Sequence, residues 1–317
     1  MRLDLCVYDP VDNPWHYVGN FLHEGIRDLT LGFEGFEGME PFTGEESDEP
    51  EFQTAYAMIL EVPSLTEKIT HLTIDMPDPE MLLAFQEALT ATLPHMHTLQ
   101  FFTATLCQLL TPSIVASMKT LGCLTSIVSS QQRSRLQCMS GTRLRPTNKG
   151  GAYYPSLEYL QLYGSLTDIW EIFSDEQLHF PRLTSLRLDV ETTRKVRIRD
   201  VIGAISSYAD NLEFLTVVFM HTPNQHTQDA HIEEGVNRPL QVLGNLRTLK
   251  VYTNNRTSYS EAHLAELIGH MPNLLRLFVM PRKIYVRFMC LYVKSGIGPL
   301  KLDYRTKRPV GHLAQVS

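Results

Sequence analysis

The fold is decided by residues 180–188, which read FPRLTSLRL. Residues 154–162 read YPSLEYLQL and residues 271–279 read MPNLLRLFV, so the frame Pro-x-Leu-x-x-Leu-x-Leu occurs at least three times. Looser copies are LPHMHTLQF from Leu93, ADNLEFLTV from Ala209, LGNLRTLKV from Leu243, TEKITHLTI from Thr66 and HEGIRDLTL from His23. A unit that recurs in this way buries its apolar face by stacking on its neighbours.

The copies follow one another at near-constant spacing. The first apolar position of each falls at Ile26, Ile69, Met96, Leu157, Leu183, Leu212, Leu246 and Leu274, with a further off-register copy from Leu121. Five of the eight successive intervals lie between 25 and 29 residues. This spacing is close to the period of a leucine-rich repeat.

The frame itself predicts the local structure. In Leu-x-Leu the two leucines share one face of a strand, because strand side chains alternate. The returns are predicted to be helices, since a capping residue precedes a helix-starting proline at Asn13-Pro14, Asp78-Pro79 and Thr111-Pro112, and Ser260 opens another helix. The proline of the frame is predicted to end each helix. We therefore expect an α/β fold: an irregular leucine-rich-repeat solenoid (horseshoe) with parallel strands on the concave face and helices on the convex face.

We expect a single domain over residues 1–317, with roughly nine or ten repeats and three loop insertions. Residues 34–51 form an acidic insertion, interpreted as a solvated loop or as an arm that docks on a basic surface. Residues 129–152 form a basic polar insertion, interpreted as a flexible loop or as a phosphate contact. Residues 221–238 form a His-containing insertion whose spacing matches no familiar metal-ligand pattern, so no metal site is predicted.

Charge is divided along the chain. The net charge is −7, but residues 1–87 hold 19 acids and 3 bases while residues 88–317 hold 16 acids and 25 bases. The opening MRLDLCVYDP carries no signal-like segment, no apolar run is long enough for a membrane helix, and the five scattered cysteines form no C-x-x-C pair. We expect a cytoplasmic or nuclear protein with no membrane partner.

No signature of catalysis is present. The chain lacks a phosphate-binding G-x-x-x-x-G-K-[ST], a dinucleotide-binding G-x-G-x-x-G, an H-E-x-x-H and a G-x-S-x-G elbow. The prediction is a protein that is not an enzyme and holds no cofactor, with no catalytic residue to name.

A binding surface is predicted on the strands instead. Residues between the leucines project from the concave face, and aromatic and Arg side chains are typical interface anchors. The predicted centre is Tyr159, Tyr163, Arg187, Phe214, Lys250 and Tyr252; the alternative is that these side chains are covered by insertions or merely exposed. The whole predicted surface is His71, Thr73, Asp75, Thr98, Gln100, Phe102, Tyr159, Gln161, Tyr163, Ser185, Arg187, Asp189, Phe214, Thr216, Val218, Thr248, Lys250, Tyr252, Arg276, Phe278 and Met280.

The Pro-x-Leu-x-x-Leu-x-Leu frame, the irregular repeat lengths and the helical returns resemble the leucine-rich-repeat region of F-box proteins of the divergent fungal type. The resemblance covers roughly residues 23–302. It implies repeats that hold a substrate protein for ubiquitin ligation, and an F-box that binds a Skp-type adaptor of a cullin ligase. No F-box is visible in this chain. The Asn or Cys that follows each strand in that family is mostly absent, so the turns are predicted to be held differently.

The predicted function is a non-enzymatic protein–protein interaction module, an F-box-like substrate receptor that binds a protein on its concave face. The alternative is a nucleic-acid or phosphate-binding scaffold that uses the basic carboxyl-terminal half. Residues 235–317 hold 13 bases and three acids, which supports that alternative.

Overall fold

The computed structural model describes residues 1–8, 22–34, 59–60, 62, 68–75, 82–105, 109–129, 152–174, 178–191, 198–220, 240, 242–253, 269, 271–281, 288–292 and 304–305. The three predicted insertions lie outside these residues except for residues 34, 129 and 152. Two of the predicted helix starts at prolines, together with the start at Ser260, also lie outside them.

Ten strands pair side by side in chain order to form one open, parallel sheet. They are β1 (Arg2–Tyr8), β2 (Asp28–Glu34), β3 (His71–Asp75), β4 (Phe101–Ala104), β5 (Ser126–Ser129), β7 (Tyr159–Ser165), β9 (Ser185–Glu191), β10 (Phe214–Met220), β11 (Thr248–Thr253) and β12 (Arg276–Pro281). The antiparallel strands β13 (Phe288–Tyr292) and β14 (Tyr304–Arg305) continue the sheet beyond β12. A separate pair, β6 (Ala152–Tyr153) and β8 (Leu178–His179), is also parallel.

Helices return the chain between several strands. The described ones are α1 (Leu82–Thr92), α2 (Pro112–Ser117), α3 (Leu166–Ser174) and α4 (Ile198–Tyr208), with short 3-10 helices at Leu93–His95 and Met118–Thr120. The predicted start at Thr111-Pro112 is confirmed: Thr111 is the N-cap, and its hydroxyl accepts a hydrogen bond from the Ile114 amide at 3.3 Å. Neighbouring helices pack on one another, and α3 buries Leu166, Ile169, Ile172 and Phe173.

The apolar core lies between the sheet and the helices. Strands β2 to β5, β7 and β9 to β11 contribute alternating buried side chains, such as Leu160 and Leu162 on β7 and Leu186 and Leu188 on β9. Burying one such side chain contributes about 1.5 to 3 kcal/mol. A helix is wider than the spacing of about 4.8 Å between strands. A stack of repeats that each contain a strand and a helix therefore curves, with the strands on the inner, concave side. The fold is the predicted α/β leucine-rich-repeat solenoid, with strands on the concave face and helices on the convex face.

Two copies of the frame were predicted three residues too early. The copy at Met96 begins at Leu99, which is fully buried and lies two residues before the start of β4. The predicted surface residue Phe102 is therefore in the core, and Thr98 and Gln100 precede the strand. The copy at Leu121 likewise begins at Leu124 before β5.

A four-residue turn leads into most strands. The amide of the first core residue donates to the carbonyl three residues earlier, as from Leu183 to Phe180 at 3.2 Å. In that turn Pro181 occupies the second position, where its fixed φ is favourable. The prediction that Pro155 and Pro181 end helices is wrong, because the extended strands β6 and β8 precede them.

A ladder of main-chain carbonyls joins the repeats just before the strands. At each junction one carbonyl accepts two consecutive amides of the next repeat; the Thr125 carbonyl, for example, accepts from Glu158 at 2.9 Å and from Tyr159 at 3.1 Å. We call this set the carbonyl ladder. Its acceptors are Met1, Arg27, Thr70, Gln100, Thr125, Glu158, Thr184, Glu213 and Arg247.

Side chains tie the turns as well. Asn211 donates to the Pro181 carbonyl at 2.7 Å, Asn245 to the Asp210 carbonyl at 2.9 Å, and Asn273 to the Gly244 carbonyl at 2.6 Å. Ser156 makes the equivalent bond to Gly122 at 2.6 Å. These hydrogen bonds lie before the strands. The turns are thus held by Asn and Ser side chains at that position, and not by an Asn after each strand.

Tyr154 anchors the middle of the core. Its side chain is fully buried, its ring stacks on Phe180 at 5.1 Å, and its hydroxyl donates to the carbonyl of Val115 in α2. Burial raises the pKa of Tyr154 well above its ordinary value near 10. The folded protein therefore keeps this proton where the unfolded chain loses it.

We predict that Tyr154→Phe lowers the free energy of unfolding by about 1 to 2 kcal/mol at pH 7, because a buried hydrogen bond is lost. Above pH 10 the unfolded wild-type chain releases the Tyr154 proton, so wild-type stability falls as pH rises and the variant's does not fall for this reason. The difference in free energy of unfolding between wild type and Tyr154→Phe should therefore shrink by up to about 1.4 kcal/mol per pH unit. Urea unfolding from pH 8 to 11 measures it; a difference that stays constant or grows contradicts the prediction.

Candidate functional site

The strand pairing aligns side chains of neighbouring repeats into rows on the concave face of β7, β9, β10, β11 and β12. The first row is Tyr159, Ser185, Phe214, Thr248 and Arg276. The second row is Gln161, Arg187, Thr216, Lys250 and Phe278. The third row is Tyr163, Asp189, Val218 and Tyr252. All three rows arise because equivalent residues of successive repeats pair without any offset.

All six residues predicted as the centre of a binding surface lie in these rows. Tyr159, Arg187, Phe214, Lys250 and Tyr252 are exposed or half-buried. Tyr163 is different, since only 6% of its surface is exposed. The prediction that Tyr163 projects to a partner is therefore wrong: it shares the third row with Asp189 and Val218, which are also buried.

Arg187 and Asp189 form an ion pair within β9. The Arg187 Nε lies 3.0 Å from Asp189 Oδ2, and Nη2 lies 3.1 Å from Oδ1. The Asp189 side chain is 6% exposed and that of Arg187 is 45% exposed. The two residues are i and i+2 on one strand and so lie on the same face. A buried carboxylate thus fixes the orientation of a guanidinium that faces solvent.

A hydrogen-bonded chain extends this pair to β7. Gln161 Nε2 donates to Asp189 Oδ2 at 3.1 Å, and the Tyr159 hydroxyl donates to Gln161 Oε1 at 3.0 Å. Burial raises the pKa of Tyr159, so the hydroxyl keeps its proton. The hydrogen bonds to Asp189 raise the pKa of Arg187, which keeps the guanidinium charged. Four side chains from two strands are therefore held in one arrangement.

Aromatic side chains flank this network. Phe214 is 44% exposed on β10, beside Ser185 in the first row. Lys250 places its Nζ 5.8 Å from the centre of the Phe278 ring, a cation–π contact. Tyr252 lies in the third row on β11, two strands from Arg187. We define the β7–β12 surface as Tyr159, Gln161, Arg187, Phe214, Lys250, Tyr252 and Phe278.

A second aromatic feature was missed by the sequence interpretation. His71 and Phe101 stack with ring centres 4.3 Å apart on β3 and β4, and Phe101 is 39% exposed. The error in register at Met96 put Phe102 on this face instead. The signal in the sequence was the pair Phe101-Phe102, of which only one side chain can enter the core.

The described residues show no arrangement that suggests catalysis or metal binding. Among them, no group of three or more His, Cys, Asp or Glu is close enough to hold a metal ion. None of the described helices has the length and apolarity to cross a bilayer.

Comparisons with known proteins add little to this picture. No protein-family model and no curated protein matches the chain. Among solved structures, the chain is similar to the leucine-rich repeat-containing protein LegL7 from Legionella pneumophila, with a TM-score of 0.32 and 10% identity over 89% of this chain and 91% of that one. It is also similar to a chain of a TLR13–ssRNA13 complex, with a TM-score of 0.27 and 13% identity over 82% of this chain and 40% of that one.

We predict that Asp189→Ala lowers the free energy of unfolding by about 2 kcal/mol, because Arg187 and Gln161 lose a buried acceptor. The double variant Arg187→Gln/Asp189→Asn retains polar partners without charge and should lie within about 1 kcal/mol of wild type. Urea unfolding of both variants measures these changes. An Asp189→Ala protein as stable as wild type would show that the network contributes nothing to the fold.

Proposed function

We propose that this chain is a non-enzymatic protein-binding module that receives another protein on the β7–β12 surface. The observation that carries the proposal is the convergence of Tyr159, Arg187, Phe214, Lys250 and Tyr252 on adjacent strands, with Phe214 44% exposed. Interfaces concentrate their binding energy in aromatic and Arg side chains of this kind. The side chains are also held in place, through Asp189 and Phe278, before any partner arrives.

Preorganisation favours binding for a physical reason. Ordering a long side chain at an interface costs about 0.5 to 1.5 kcal/mol. Arg187 is already fixed by Asp189, and the Tyr159 hydroxyl is fixed by Gln161. A partner therefore meets a surface whose main anchors lose little conformational freedom on binding.

The finer proposal is that the module is a substrate receptor for ubiquitin ligation that works with a Skp-type adaptor. Its support is the sequence resemblance of the repeats to those of F-box proteins. The protein on the β7–β12 surface would then be the substrate, and the adaptor would bind elsewhere.

The alternative of a nucleic-acid scaffold is less well supported. Within residues 235–317, the Arg247 Nε lies 3.6 Å from Glu213 Oε2. Binding to phosphates requires cations that can exchange their counterions for the backbone. Basic side chains that already face carboxylates contribute less to such binding.

We predict that a photo-crosslinking phenylalanine analogue at position 214 captures a protein from extracts of cells that express the chain. The matched control is the same analogue at Trp170 on α3, which is an aromatic residue of similar exposure, 38%, on the helix side. Crosslinked products should form from position 214 and be absent or much weaker from position 170. Equal or greater capture from position 170 would contradict the proposal, because the partner would then contact the helix side rather than the β7–β12 surface.

The receptor role has a separate test. We predict that the intact chain co-precipitates a purified Skp-type adaptor, with beads that carry no chain as the control. If the adaptor does not associate, the role in ubiquitin ligation is wrong and the protein-binding role is unaffected, because the two use different surfaces.

A further inference from the structure

We propose that the β7–β12 surface selects an acidic segment of its protein partner, with one carboxylate bound by Arg187 and a second by Lys250. The inference rests on the proposed function, because it names the chemistry of the partner that this surface takes. Its basis is the arrangement of one buried carboxylate, four aromatic rings and three cations, Arg187, Lys250 and Arg276, on five neighbouring strands.

The guanidinium of Arg187 is oriented for this task. Asp189 occupies the edge formed by Nε and Nη2, with contacts of 3.0 to 3.2 Å. A guanidinium has five N–H donors in a planar fork, so the edge that carries Nη1 is turned away from Asp189. The Arg187 side chain is 45% exposed on the concave face, and the Nη1 edge is the one that Asp189 does not occupy. Arg–carboxylate pairs are favoured by such a fork.

Lys250 supplies the second cation. It lies in the same row as Arg187, two strands further on, with Thr216 between them. Its ammonium group lies over the Phe278 ring, which limits the positions it samples. Two strand spacings amount to about 10 Å. In an extended polyproline-type peptide, residues i and i+3 lie on one side about 9 Å apart. The partner motif that fits is therefore an acidic residue, two intervening residues and a second acidic residue.

The charge of this surface is complementary to such a motif. In the three rows of β7, β9, β10, β11 and β12, the charged residues are Arg187, Asp189, Lys250 and Arg276, a net charge of +2. In the three equivalent rows of β1 to β4 they are Arg2, Asp4, Asp28 and Asp75, a net charge of −2. An acidic segment is therefore attracted to the β7–β12 surface and repelled from the other end.

The aromatic residues complete the site. Tyr159 and Phe214 lie on the strands to either side of Arg187, in the adjacent row. Apolar residues of a partner that pack on these rings would exclude water from the Arg187–carboxylate pair. Ion pairs are stronger where water is excluded, because the local dielectric is lower. The motif is thus expected to be an acidic pair with aliphatic or aromatic neighbours.

The experiment is an array of immobilised ten-residue peptides probed with the full-length chain. Each peptide carries Glu-x-x-Glu at its centre between varied apolar residues, and matched sets carry Gln-x-x-Gln, Lys-x-x-Lys or phosphoserine-x-x-phosphoserine. The Glu set should bind at least roughly tenfold more tightly than the Gln set, which is the factor expected from one charge-assisted hydrogen bond. Equal binding of the Glu and Gln sets overturns the inference. Stronger binding of the phosphoserine set than of the Glu set overturns it in favour of phosphate recognition.

Variants then locate the site. Lys250→Gln and the paired Arg187→Gln/Asp189→Asn should each reduce binding of the Glu set roughly tenfold. The paired change leaves no buried unpaired charge, so folding is preserved, and circular dichroism verifies it. The control for Lys250→Gln is Arg182→Gln, which also removes one positive charge, from the exposed turn before β9, and should bind as wild type does; the paired change leaves the net charge unaltered. Equal losses in Arg182→Gln and Lys250→Gln would assign the preference to overall charge and overturn the inference.

The failure of this inference differs from the failure of the proposed function. If position 214 captures a protein but the array shows no preference for Glu, the surface binds proteins and the acidic motif is wrong. If position 214 captures nothing more than position 170 does, the proposed function itself is wrong.

Discussion

The structure depends on one repeated hydrogen-bonding arrangement, the carbonyl ladder. At every junction of the ten parallel strands one carbonyl accepts two consecutive amides of the next repeat. Each bond contributes about 0.5 to 1.5 kcal/mol. The greater effect is on register, because a strand that slipped by one residue would lose both bonds and turn its leucines to solvent. In three repeats Thr70, Thr125 and Thr184 add a hydroxyl donor to the same carbonyl.

The fixed register produces the candidate site. Because equivalent residues pair without offset, side chains that are 26 to 34 residues apart in sequence stand next to one another on the concave face. Arg187, Lys250 and Phe214 are brought together in this way. One half of each strand's side chains packs in the core, and the other half lies on the concave face. A binding surface can thus be built from single residues of successive repeats while the core remains the same.

Much of this followed from the sequence, and the errors have physical causes. The recurrence of Leu-x-Leu predicted the parallel sheet and placed all six central residues on its concave face, where the side chains of five are exposed or half-buried. The copy at Met96 was misplaced because Pro94-His95-Met96 fits the frame as well as the true start at Leu99 does. In addition, Ala104 occupies a core position of the true copy, and an alanine is too small to be recognised as part of a leucine frame. The burial of Tyr163 and Asp189 depends on their neighbours in three dimensions, which the periodicity of the sequence does not show.

Amide hydrogen exchange tests the central claim most directly, since the aligned surface exists only if the ladder does. The decisive amides are Gln100 and Phe101, which donate to Thr70, and Thr125 and Ser126, which donate to Gln100. All four amides should be protected to a similar extent in the intact chain, as hydrogen-bonded strand amides are. Exchange of Thr125 and Ser126 at the rate of an unfolded chain would contradict it, because β4 and β5 would then not pair as described.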